Sequence, residues 1–106
     1  MKNTVFIHND EYYYEIVRRN IKKIRLEHKL TQQDLADLTG LTRQYICDIE
    51  NENRNKHLSI AVLGRIADAL NLHIVEFFIK DDELRVEIKN VLEVFNKDKE
   101  KDIVNS

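Results

Sequence analysis

The chain carries no proline and only two glycines, Gly40 and Gly64, among its 106 residues. Turn-dense all-β folds, collagen-like repeats and flexible linkers need those residues at fixed places, where the backbone adopts a positive or a locked φ. Their scarcity leaves helices joined by short connections. The length suits one compact domain and is short for two. With 42% apolar and 34% charged residues, the chain can bury a core and keep a solvated surface. The lone Cys47 excludes an intrachain disulfide and a cysteine-based zinc module, and it fits a reducing compartment. His8, His28, His57 and His73 have no ligand-like spacing to one another or to Cys47, so no metal and no other cofactor is expected. No apolar run approaches membrane-spanning length, and Val5-Phe6-Ile7 is too short for a secretory core. The expectation is a helical, single-domain, cytoplasmic protein without a membrane partner.

The formal charge of −2 argues, taken alone, against nucleic acid as a partner. Counted by segment, the balance is different. Residues 16–66 hold ten bases against six acids, whereas residues 67–106 hold six bases against ten acids. A basic middle is followed by an acidic tail, and the average conceals both.

Helical periodicity divides the chain further. Asn9 is placed to cap a first helix, with Asp10 and Glu11 at the positive end of its dipole. Val17, Ile21, Ile24 and Leu30 recur on one side, with the Arg and Lys residues between them on the outer face. Thr31-x-x-Asp34 has the form of a capping box for a short second helix that buries Leu35 and Leu38 and ends at Gly40. Thr42 caps a third helix, and Ser59 a fourth with Ile60, Leu63, Ile66, Ala67 and Leu70 inward. A fifth short segment holds Ile74, Val75, Phe77, Phe78 and Ile79. Beyond it, Leu84, Ile88, Val91 and Phe95, widened by Leu92, form one apolar stripe that needs a covering surface, in this chain or in a second copy. Residues 1–15 form an N-terminal arm and the start of the first helix. Residues 16–79 form the main domain, 80–96 a C-terminal helix and 97–106 a charged tail. A short β-prone stretch, Thr4–Ile7, stands apart from the helical pattern.

A short helix, a tight turn at Gly40 and a second short helix make a helix-turn-helix unit. Ala36 sits where the two helices cross, a place with no room for a larger side chain. Steps of about 100° along the third helix put Ile46 and Ile49 on one side and Arg43, Gln44, Cys47 and Asp48 on the other. An exposed Arg and Gln at a helix N-terminus suit the major groove, because Arg pairs with the O6/N7 edge of guanine and Gln with the N6/N7 edge of adenine.

The run Leu30-Thr31-Gln32-Gln33-Asp34-Leu35-Ala36, then Gly40 through Asn51, resembles the helix-turn-helix of the Cro/repressor (XRE) family. The likeness continues through Leu58-Ser59-Ile60, Leu63–Leu70 and Phe77-Phe78. The resemblance implies an all-α, five-helix lambda-repressor-like DNA-binding domain, here with an additional C-terminal amphipathic helix. It implies base contacts from Arg43, Gln44 and Asp48, with Cys47 on the same face, and phosphate contacts from Gln32, Thr42 and the neighbouring Gln33. It also implies a partly buried salt bridge between Arg25 and Glu50. The family's usual Gly near Glu52 and Pro near Lys56 are missing, but Arg54, Asn55 and Lys56 remain placed to meet a phosphate. Arg18, Arg19 and Lys22 are further candidates for phosphate contact.

The expected function is a sequence-specific transcriptional regulator, a repressor, bound to double-stranded palindromic DNA as a homodimer whose seam is Leu84, Ile88, Val91, Leu92 and Phe95. The alternative is an antitoxin or other protein-binding module whose main partner is another protein, such as a toxin. An enzyme has little behind it. The chain offers no phosphate loop and no nucleophile with a recognisable base.

Overall fold

A computed structural model describes residues 7–51 and 57–105, and among these every regular element is helical. Helix α1 spans Asp10–Glu27, α2 Gln32–Thr39, α3 Arg43–Glu50 and α4 Ile60–Ala69. A 3-10 helix, Ile74–Phe78, follows, and α5 spans Asp82–Asn105. The expected five-helix domain with one additional helix is therefore present, its fifth member wound as a 3-10 helix. Most of the Thr4–Ile7 stretch lies outside the described residues. No helix among them is long and apolar enough to cross a membrane.

The caps explain how so few glycines suffice. The Asn9 side chain accepts from the Tyr12 amide at 3.0 Å, Thr42 from Tyr45 at 3.0 Å and Ser59 from Val62 at 3.1 Å. Each serves an amide of the first helical turn, where the regular ladder has no acceptor to offer; the Tyr12 amide also reaches Asn9 O at 3.1 Å. At α2 the box closes both ways: Asp34 N donates to Thr31 Oγ1 at 3.0 Å and Thr31 N to Asp34 Oδ2 at 2.9 Å. The Thr31 amide first, and the Thr31 hydroxyl after it, hold the Asp34 carboxyl below its usual range. Its contribution to stability is therefore present above the unfolded carboxylate range, near pH ~4, and is lost as the pH falls through the folded value. Thermal melts of Asp34→Asn are expected to lie below wild type at neutral pH, with the gap closing on acidification.

Gly40 ends α2 at φ 75°. A Cβ built there would meet nothing within 4 Å, so the requirement for glycine comes from the backbone alone. Helices α1 and α4 stop without glycine. Lys29 and Asn71 take φ 58° and 53°, and the residues after them reach back: Leu30 N to Arg25 O at 3.1 Å, Leu72 N to Ala67 O at 3.0 Å. These are Schellman closures built on residues other than glycine. Helix α1 thus ends at Glu27, and Leu30 packs on the core from the turn rather than from the helix.

The core gathers Val17, Ile21 and Ile24 of α1, Leu35 and Ala36 of α2, Ile46 and Ile49 of α3, Leu63, Ile66 and Ala67 of α4, with Leu58, Leu70 and Phe77. Ala36 is almost fully buried against this cluster, as the crossing of α2 and α3 requires. Two apolar residues expected inside are not. Leu38 is 56% exposed and Ile60 79%, because α2 and α4 are short and only one narrow face of each meets the body. Phe78, of the fifth segment, is half exposed, since the tighter winding of the 3-10 helix turns Glu76 and Phe77 inward and leaves Phe78 at the rim. Buried Asn20 closes that helix, donating from Nδ2 to the carbonyls of Phe77 and Ile79, both at 2.8 Å.

Helix α5 leans on the 3-10 helix along one edge and projects from the body. Ile88 and Leu92 are half-buried, whereas Leu84, Val91 and Phe95 are 47%, 68% and 53% exposed. Val94, at 64%, extends the exposed strip. The helix continues to Asn105, through the stretch expected as a charged tail.

Candidate nucleic-acid interface

Two sets of bonds position α3. The first is buried: Arg25 Nε and Nη2 donate to Glu50 Oε2 and Oε1 at 2.8 and 2.9 Å, with both side chains over nine-tenths buried. Arg25 also donates from Nη1 to Leu30 O at 2.7 Å, and Gln32 from Nε2 to Glu50 Oε1 at 3.2 Å. One ion pair thereby joins α1, the turn after it, α2 and the end of α3. Glu50 holds the Arg25 guanidinium above its ordinary value, in the sense that a direct carboxylate partner requires. The second set is apolar, Ile46 and Ile49, both fully buried.

With its inner face fixed, α3 turns Arg43 and Gln44 to solvent and leaves Cys47 and Asp48 part-exposed, the distribution that the 100° steps require. Gln44 Nε2 donates to Asp48 Oδ1 at 2.9 Å. Asp48 therefore steers Gln44 here, one turn away on the same helix face. Thr42, at the head of the helix, is exposed and spends its hydroxyl on the cap. Gln33 is exposed and donates to Asp37 at 2.8 Å, while Gln32 is half-buried on Glu50. Arg54, Asn55 and Lys56 lie outside the described residues.

One expected phosphate contact is displaced. Arg18 is 2% exposed and pairs with Glu11 at 3.5 Å, so it points into the body and not toward a ligand. Position 18 lies one residue from Val17 and three from Ile21 on the helix, on the flank of the buried face. Arg19 and Lys22 are exposed as expected. An apolar groove of about 640 Å³, lined by Tyr13, Tyr14, Leu58, Ile60 and Phe78 among others, includes none of the α3 side chains.

A short helix, a glycine turn and a second short helix with a polar outer face, fastened by a buried ion pair, define a helix-turn-helix domain. The helix-turn-helix family model HTH_3 matches residues 21–77. An immunity repressor protein of Bacillus phage phi105 is 39% identical over 87 residues, 82% of this chain and 56% of that protein. The control protein C.SmaI of Serratia marcescens is 39% identical over 57 residues, 54% of this chain and 66% of that protein. The chain thus spans less than two thirds of either relative's length. Among solved structures, the restriction-modification controller protein C.Esp1396I superposes with a TM-score of 0.58 at 38% identity, covering 72% of this chain and 90% of that one. The same controller is also solved as a tetramer with its natural 35 base-pair operator, at a TM-score of 0.57 and 37% identity. The chain belongs to the HTH_3 family of helix-turn-helix proteins.

Proposed function

We propose that the protein is a sequence-specific transcriptional regulator, a repressor, that binds a palindromic operator in double-stranded DNA as a homodimer. The observation that carries this reading is the outer face of α3: Arg43 and Gln44 exposed at its N-terminal end, with the inner face locked by Arg25–Glu50. Its kinship with a phage immunity repressor and with controller proteins, one of them solved on its operator, supports the same reading and disfavours a toxin-neutralising role. Arg43 and Gln44 read base edges, with Asp48 holding Gln44 and Cys47 beside them. A two-atom contact from Gln44 to adenine requires its bond to Asp48 to be exchanged for one to the base. Thr42, Gln32 and Gln33 stand nearest the phosphates, joined by Arg19, Lys22 and the loop residues Arg54, Asn55 and Lys56. The protein acts in the cytoplasm, by binding and not by catalysis, with no metal or cofactor.

One recognition helix reads about half of a typical operator, so affinity calls for a second copy. The exposed strip of Leu84, Val91 and Phe95, bordered by Ile88 and Leu92, supplies a self-complementary surface for a two-fold seam. Sedimentation of the full chain carrying Val91→Asp and Phe95→Asp tests it. The expected result is a folded monomer without cooperative binding to paired half-sites; a dimer that survives both substitutions contradicts the seam.

A further inference from the structure

Helix α5 is fastened to the body by charge. Arg85, near its start, is 2% exposed, and its Nη2 meets Glu27 Oε2 of α1 at 2.6 Å. Its Nη1 lies 3.8 Å from Glu76 Oε1 in the 3-10 helix, and its Nε 4.0 Å from Asp82 Oδ1. Asp82 in turn pairs with Lys23 of α1 at 2.5 Å. Glu76 is itself 2% exposed, and burial raises its carboxyl despite the nearby Lys89 and Arg85. Glu27 lies two residues beyond Arg25 on the last turn of α1, the same turn that grips Glu50 of α3. A run of ion pairs and one helical turn therefore connects the recognition helix to α5.

Such an array differs from apolar packing in what it permits. Arg85 and Glu76 are its buried members, with Glu27, Asp82 and Lys23 at the exposed rim, and a buried ion is satisfied in few arrangements and keeps its desolvation penalty when displaced. We infer that Arg85 is a positioning residue for operator recognition, setting the spacing of half-sites that the dimer accepts. This inference rests on the reading of α5 as the dimer seam. In a two-fold dimer with recognition helices about 34 Å apart, each lies about 17 Å from the axis, so a rotation of about 10° moves it by about 3 Å, close to one base-pair step. Arg85 itself touches no DNA. It acts through the pose of α5.

The test uses the full chain, with Arg85→Met removing the charge at similar volume and Glu27→Gln weakening the same array from a part-exposed position. Duplexes with two half-sites and spacers lengthened or shortened by one base pair are competed against the best spacer, and a single half-site is measured alongside. Both variants are expected to stay dimeric and to bind the single half-site as wild type does. Their preference for the best spacer over its neighbours is expected to fall, at least fivefold in Arg85→Met and less in Glu27→Gln. Folded, dimeric variants with an unchanged spacer preference overturn the inference while leaving the seam intact. If Arg85→Met does not fold, Glu27→Gln decides between the same two outcomes. Persistence of the dimer in the Val91→Asp and Phe95→Asp protein overturns the seam, and the inference with it.

Discussion

Arg25→Ala is expected to lower the melting temperature by more than about 10 °C. The truncation removes three hydrogen bonds at 2.7–2.9 Å and leaves Glu50 buried, with Gln32 still donating to it at 3.2 Å. Breaking a buried pair from one side costs about 3–5 kcal/mol, because the surviving charge keeps its desolvation penalty. For a domain of this size each kcal/mol shifts the midpoint by about 4–8 °C. Replacing both partners with apolar residues of similar shape should recover much of the loss, as the penalty lies in the orphaned carboxylate. The two outcomes separate a buried strut from an ordinary surface pair, whose removal would cost no more than about 1 kcal/mol of stability.

Arg43→Ala is expected to change recognition and leave folding intact, since Arg43 is exposed and stands outside the core. If its guanidinium engages guanine with two hydrogen bonds, its removal costs about 1–3 kcal/mol, or about 5- to 150-fold in affinity for the preferred base at one position. Binding to sequences that already carry the wrong base there should change little. Arg19→Ala is the contrasting case: without its charge on the phosphates, all sequences should be bound more weakly alike, with a flatter salt dependence. A profile in which Arg43→Ala leaves the base preference intact would remove Arg43 from the reading face.

The helix-turn-helix is legible in the sequence because its determinants are local. Thr31-x-x-Asp34, Thr42, Gly40 and the 100° stagger of Ile46 and Ile49 act within one or two turns, and the structure realises each of them. The Arg25–Glu50 pair spans 25 residues and follows from the family likeness, not from periodicity. Arg18 departs from its expected place because a basic residue on a helix flank reads as solvated until a neighbour such as Glu11 turns it inward. The tertiary electrostatics leave no comparable trace. Arg85, Glu76 and Glu27 are separated by up to 58 residues, and nothing in their local pattern distinguishes them from surface charges. Asn20 gives equally little signal, although it closes the 3-10 helix. The two Schellman turns on Lys29 and Asn71 account for the scarcity of glycine; asparagine is a known stand-in there, whereas nothing in its residue type points to Lys29.

Selection of bound duplexes from a random pool, with the mass of the bound species recorded, tests the central claim most directly. The expected result is enrichment of one two-fold symmetric sequence whose half-sites lie about one helical turn apart, about 10 base pairs, carried by two chains or a multiple of two. Recovery of no shared sequence, or of an asymmetric site held by a single chain, would contradict it.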